Sequence, residues 1–192
     1  MPDPRDIKIR PVQPKDASPI ARVQVDTWQD AYVGILPDRV LLELRAVRSA
    51  GQWLNAIAKN RHAELFQVAD WNGEVVGFCQ GGARRQDIVA LGDEAGDIAE
   101  IYVLYVDPSF QGLGVGTALM GRVVHGLAAA GFGSLVLTVL SENRGGVAFY
   151  EKLGGIADAP VECSVMGAKT EETVYRWPDI RVLQERLASA EG

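Results

Sequence analysis

Cysteine, histidine and long apolar runs are scarce in this sequence, and each scarcity removes a class of protein. The two cysteines, Cys79 and Cys163, lie far apart and outside any CxxC spacing. That argues against a disulfide scaffold or a cysteine-rich zinc site, and two reduced, buried thiols are expected. The two histidines, His62 and His125, have no HExxH motif and no third ligand nearby, so neither a structural nor a catalytic metal is expected. One falls mid-helix and the other beside a strand start, which suits structural or surface positions. No stretch approaches the ~18 consecutive apolar residues of a membrane span. The opening Met1-Pro2-Asp3-Pro4-Arg5-Asp6 has no apolar signal core, so a cytoplasmic protein is expected. Basic charge is in deficit too: 19 Lys and Arg against 25 Asp and Glu leave a formal charge of -6. This balance argues against general affinity for nucleic acid or anionic membrane and is compatible with a cationic partner such as an amine.

What the sequence does have is an apolar fraction of 47% in 192 residues, enough to build one domain with a sizeable core. No internal repeat or low-complexity linker divides it. Residues 7–12 alternate as a strand, and a helix opens at 14–16, with Ile20, Val23, Thr27 and Ala31 at spacings of three and four. Pro37 suits the first position of a second helix, which Leu41, Leu42, Leu44 and Val47 continue, and 52–59 reads as another. Strands over 64–70 and 74–83 flank Trp71-Asn72-Gly73, a tight-turn signal that predicts an antiparallel hairpin. The polar, acidic stretch 84–96 reads as an exposed loop. Residues 98–106 are apolar on both alternations: Ile98, Tyr102, Leu104 and Val106 on one, Ala99, Ile101, Val103 and Tyr105 on the other. Such a strand belongs in the centre of a sheet. There follow a helix over 112–130 (Val115, Leu119 and Val123 on one side, Gly131 as its stop) and an apolar strand over 135–140. A short helix over 144–153 stops at Gly154-Gly155, two strands fall within 156–177, and a terminal helix covers about 179–188.

The informative stretch joins the 98–106 strand to the next helix through Asp107-Pro-Ser-Phe-Gln-Gly-Leu-Gly-Val-Gly-Thr117. The first amides of a helix have no internal partner and carry its positive dipole end. Glycine lets those donors close on an anion, so 111–117 is a cradle suited to a pyrophosphate. A P-loop would need Gly-Lys-Ser/Thr, but the chain reads Gly116-Thr117-Ala118. A dinucleotide fingerprint would need GxGxxG and an acidic residue ending the next strand; the glycines are spaced GxGxG and the nearest acid is Glu142. Both nucleotide readings lose ground.

Gln111-Gly-Leu-Gly-Val-Gly116 resembles the Gln/Arg-x-x-Gly-x-Gly/Ala motif of the Gcn5-related N-acetyltransferase (GNAT) family, placed as in that family between strand and helix. The resemblance extends to Asn143 with Phe149-Tyr-Glu-Lys-Leu-Gly154, to Ile9-Arg10-Pro11 with Asp16, and to Trp28, Tyr32, Gly34, Leu36 and Pro37. It spans about 7–177 of the chain. Gly146 departs from the pattern, where alanine is usual, and should loosen a helix start.

The resemblance implies an α/β (α+β) fold: a mixed, mostly antiparallel central sheet of about seven strands flanked by helices, splayed at two parallel central strands. The whole chain, 1–192, would be a single N-acetyltransferase domain with its core at about 7–177 and a terminal helix at about 179–190. The resemblance implies acetyl-coenzyme A as cosubstrate, no metal, and transfer by direct attack in a ternary complex to an amine of a small molecule or peptide. It places backbone groups of Leu104, Tyr105 and Val106 on the pantetheine arm, and the amides of Gln111, Gly112, Leu113, Gly114, Val115, Gly116 and Thr117 on the diphosphate. Asn143 would bond the arm as it emerges, and Tyr150 would be the general acid for the departing thiolate, a phenol of pKa about 10 beside a thiol of about 8.5. Asn143 and Tyr150 stand seven apart, about two helical turns, and so share a face. The alternative for Tyr150 is a core aromatic.

Glu100 is a lone carboxylate on the apolar strand, two before Tyr102 and four before Leu104 and so on one face with them, and two readings stay open for it. Partial burial would raise its pKa and suit it to take a proton, directly or through water, from an ammonium acceptor; otherwise it sits near the strand's edge and pairs with an arginine. Trp28 and Tyr32, at i and i+4, would border the acceptor pocket by resemblance, or line the core. Ser141 has no nucleophile-elbow context. A non-catalytic acyl-coenzyme A sensor remains the competing function, distinguished by the retained Glu100 and Tyr150. A dinucleotide oxidoreductase would require a fully parallel sheet, against the Asn72-Gly73 hairpin. A homodimer through the C-terminal strands stays open.

Overall fold

The computed structural model describes residues 3–44, 46–85 and 97–190. The strands are β1 (Ile7–Pro11), β2 (Phe66–Trp71), β3 (Glu74–Ala83), β4 (Ile98–Val106), β5 (Ser134–Leu140), β6 (Ile156–Ala157), β7 (Val161–Val165) and β8 (Ala168–Trp177). The helices are α1 (Ala17–Ala31), α2 (Asp38–Glu43), α3 (Ala46–Lys59), α4 (Val115–Ala129), α5 (Arg144–Lys152) and α6 (Ile180–Ala190). One sheet runs in the order β1-β2-β3-β4-β5-β8-β6, with β7 on β8. Its pairs are antiparallel except β4 with β5. The strand count exceeds the expected number because 156–177 holds three strands, one of only two residues.

Helices cover both faces. Ile20 and Val23 of α1 and Ile57 of α3 pack on Phe66, Val68, Val75 and Phe78. On the other face Leu119, Met120, Val123 and Leu127 of α4 meet Leu183 and Leu187 of α6 over Val76, Cys79, Leu135 and Leu137. Burial of each such side chain is worth about 1.5–3 kcal/mol. That stripe, rather than propensity, holds α4 together, since Gly116, Gly121 and Gly126 inside it each cost about 1 kcal/mol relative to alanine. Among the described residues no helix is long and apolar enough to cross a membrane.

The hairpin is as expected: Asn72 (φ 52°) and Gly73 (φ 91°) both take the left-handed conformation of a type I′ turn. Other boundaries differ. Pro37 stands outside α2, with ψ 140°, and the helix opens on Asp38. Leu44 turns extended and ends α2, so the chain restarts as α3 and carries it through the expected 52–59 helix. Residues 63–65 form a 3-10 turn, and β2 begins only at Phe66. Of the expected 84–96 loop, 86–96 lie outside the described residues, while the Arg84 amide still donates to the Ile98 carbonyl at 3.0 Å.

The most consequential difference lies in β4. Its partners on β3 step from Gln80↔Val103 to Gly81↔Ile101, leaving Tyr102 as an extra residue. This bulge reverses the alternation. Ala99 and Ile101 join Leu104 and Val106 on the α4 side, and Val103 and Tyr105 face α1. The expected common face of Glu100, Tyr102 and Leu104 is therefore broken: alternation from Ala99 and Ile101 turns Glu100 toward the α1 side.

Candidate active site

β4 and β5 are paired over three positions only, Ile98↔Ser134, Ala99↔Leu135 and Glu100↔Val136. Beyond them the strands part, and 101–106 and 137–140 become facing walls of a cavity of about 710 Å³. Backbone direction decides what those walls offer. The Asp107 amide donates to Val76 on β3 at 2.9 Å, so Tyr105, two residues earlier, also turns its backbone to β3. Leu104 and Val106 turn theirs into the gap. Of the three backbone groups expected there, Tyr105 contributes its side chain instead. The Val106 carbonyl accepts from Thr27 Oγ1 and from Gln111 Nε2, both at 3.1 Å, which ties α1 and the glycine turn to this wall.

Gly112 (φ 74°) and Gly114 (φ 81°) are left-handed, and a Cβ at either would meet nothing. Conformation, not clearance, demands glycine there. The Ala118 amide is the first to close on the turn, donating to Gly114 at 3.0 Å. The helix amides before it have no acceptor inside the helix and open toward the cavity, which Gln111, Gly112, Gly114, Val115, Gly116 and Thr117 all line. Leu113 is not among the lining residues; its side chain packs into the core beneath the turn.

On the opposite bank Asn143 caps α5, its Oδ1 accepting from the Gly146 amide at 3.0 Å. That bond fixes the side-chain amide and leaves Nδ2 as the donor available to other partners. The unusual Gly146 has a reason: a Cβ would lie 3.0 Å from Val139 Cγ2 and 3.1 Å from Asn143 Nδ2. Two turns on, Tyr150 also lines the cavity while its ring packs on Phe149 and Tyr175 at centroid distances of 5.3 and 5.8 Å. Burial pushes its hydroxyl well above the ordinary phenol range, with Cys79, Tyr32 and Tyr105 nearby adding to the effect. Burial likewise raises Tyr105, with Tyr32 adding and the Trp28 indole opposing. Burial also raises Tyr32, which the Asn143 amide holds partly down. Trp28 and Tyr32 meet edge to face at 5.1 Å and both line the cavity. They also belong to a small apolar cluster with Leu36, Leu140 and Val165, so the core and pocket readings hold together.

Glu100 is buried and does not line the cavity. Its Oε2 accepts from the Arg85 amide at 2.8 Å, and its Oε1 accepts from Arg85 Nε at 2.9 Å and from the terminal guanidinium nitrogen. The arginine pair is thus what the geometry shows. Arg85 also stacks over Tyr102, 4.5 Å from the ring centre, while the Tyr102 hydroxyl donates to the Ala83 carbonyl at 2.6 Å.

Three charged residues line the cavity without having been expected at a site: Lys152, known from the sequence only as part of the Phe149–Gly154 segment, Glu172 and Arg186. Glu172 lies opposite Leu140 in the β5–β8 ladder, hence at the Trp28–Tyr32 end. Sequence offers no signal for it, because only the β8 register brings it there. Among the described residues no group of three or more His, Cys, Asp or Glu side chains could hold a metal ion.

Residues 26–155 match the acetyltransferase (GNAT) family. The uncharacterized N-acetyltransferase YuaI of Bacillus subtilis (strain 168) is 26% identical over 181 residues, which are 94% of this chain and 98% of that one. The crystal structure of PaiA N-acetyltransferase from Thermoplasma acidophilum in complex with coenzyme A superposes with a TM-score of 0.69 at 21% identity, over 89% of this chain and 99% of its own. The structure of yncA, a putative acetyltransferase from Salmonella typhimurium with its cofactor acetyl-CoA, gives a TM-score of 0.65 at 20% identity, over 89% and 92% of the two chains.

Proposed function

The chain belongs to the acetyltransferase (GNAT) family, and from that premise we propose that it transfers the acetyl group of acetyl-CoA directly to a primary amine of a small molecule or peptide, within a ternary complex. The observation that carries this reading is the interrupted β4–β5 ladder beside the open amides of α4, with Asn143 and Tyr150 facing the same cavity. The pantetheine arm takes the place of a strand against the Leu104 backbone and the Val106 amide, the Val106 carbonyl being held already by Thr27 and Gln111. Its diphosphate meets the amides of 111–117 at the positive end of the α4 dipole, and Asn143 Nδ2 donates to the arm. Glu172, the acidic residue among the described lining residues, gives the aromatic end a negative charge suited to an ammonium-bearing acceptor.

The neutral amine attacks the thioester carbonyl carbon, the carbon–sulfur bond breaks, and the coenzyme A thiolate takes the Tyr150 proton. The amine proton leaves on the acceptor side. We assign Glu100 there because it turns toward the α1 side of the sheet, where Trp28 and Tyr32 lie; with Arg85 on both its oxygens, it takes that proton through water. The unpaired state of Cys79 and Cys163 supports a reducing, cytoplasmic setting. Free thiol release from acetyl-CoA, measured over a panel of amines, tests the activity. Tyr150→Phe should lower kcat by about 10²–10⁴-fold with acetyl-CoA affinity little changed, and Glu100→Gln should lower it too. Full turnover in both variants would refute these roles. Tight acetyl-CoA binding without thiol release would favour a sensor.

A further inference from the structure

The charges in the cavity wall are not spread evenly. The two cations among the lining residues, Lys152 and Arg186, come from α5 and from α6 beyond the family match. Helix α6 starts where the Ile180 amide donates to the Gly133 carbonyl at 2.9 Å, just past the end of α4. It then packs back along α4 through Leu183 and Leu187. Eleven residues climb about 16 Å, which brings Arg186 and Ala190 toward the N-terminal half of α4, and both line the same cavity as 114–117.

Arg186 has a berth there. A Cβ on Gly154 would lie 2.5 Å from its Cζ and 2.7 Å from its Nη1, so the guanidinium rests on the bare Cα of that residue. Gly154 (φ 74°) thus ends α5 and admits the cation at once. Among the described residues neither Arg186 nor Lys152 makes an ion pair. Two unpaired cations against a cavity, in a chain of net charge -6, call for an anionic ligand there. On the acyl-CoA reading the open α4 amides are taken by one anion, the diphosphate. The cations come from different elements, α5 and α6.

We infer that Arg186, assisted by Lys152, forms a subsite for a phosphomonoester, namely the 3′-phosphate on the ribose of coenzyme A. A planar guanidinium can hold two of its oxygens at once. This rests on the acyl-CoA reading above. The same cations could instead serve the diphosphate, and 3′-dephospho-acetyl-CoA separates the two.

Dissociation constants of acetyl-CoA and 3′-dephospho-acetyl-CoA, measured calorimetrically for the wild-type chain and for Arg186→Ala, test the subsite. The wild type should prefer acetyl-CoA by about tenfold or more. In Arg186→Ala most of that preference should vanish, with affinity for the dephospho compound unchanged. Arg186→Gln, which keeps the stem over Gly154, provides the same reading should the alanine variant melt poorly. Equal wild-type affinity for the two donors overturns the subsite alone, as does equal weakening of both in the variants. Binding of neither donor by the wild type takes down the acyl-CoA reading and the subsite with it.

Discussion

Tyr150 shows how much a neighbourhood alters one side chain. Burial, with Cys79, Tyr32 and Tyr105 close by, raises its hydroxyl above the ordinary phenol value of about 10. Raising a phenol's pKa favours the neutral, proton-bearing form, so the proposed acid keeps its proton through alkaline pH. The kcat–pH profile should accordingly show no falling limb from Tyr150 below about pH 10. A limb near pH 8–9 that disappears in Tyr150→Phe would mean a hydroxyl titrating below its ordinary range and would overturn the upward shift, not the acid role. Tyr150 and Asn143 are legible in the sequence because their relation is local, two turns of one helix. Arg186 is not: nothing near it in the chain marks it, and only the return of α6 along α4 sets it against Gly154. Glu100 falls between. Its burial follows from its apolar neighbours, but its partner, Arg85, comes from just beyond the end of β3.

At the scale of elements, the entry into α1 depends on a charge network that periodicity cannot reveal. Arg10 on β1 donates from Nη1 and Nη2 to Asp16, at 2.7 and 3.0 Å, and from Nε to Asp70 on β2 at 2.9 Å. The Asp16 side chain is only 3% exposed and also accepts from the Gln13 amide. Arg10→Ala would strand a buried carboxylate and should cost about 3 kcal/mol, read as a lower denaturant midpoint. Burial tends to raise Asp70, yet the bonds from Arg10 and Gly73 outweigh it and leave the carboxyl below its usual value. A depressed carboxyl contributes stability above its unfolded value of about 3.9, and that contribution disappears as pH falls through the folded value. The deficit of the variant should therefore shrink in acid. Turn chemistry is the most readable part of the fold, as at Asn72-Gly73. The β4 bulge is the least readable, because Tyr102 interrupts a run that is apolar on both alternations.

For the molecule as a whole, the sheet is two halves, β1 to β4 and β5 to β8, joined by a three-position ladder and by α4 packed across both. A ligand that bonds to β4 and to the start of α4 binds only the folded chain. At 100 times its dissociation constant it should add about 2.7 kcal/mol, a rise in melting temperature of about 5–10 °C for a chain of this length. Thermal melts with acetyl-CoA beside ATP at equal concentration would check this, and an equal rise with ATP would speak against the pantetheine contact.

The early divergence of β4 from β5 also bears on kinetics. Backbone groups facing the wedge have no strand partner across it, so a guest can bond there without unzipping a single inter-strand bond. Capture should then be limited by diffusion and dehydration rather than by any prior opening of the protein.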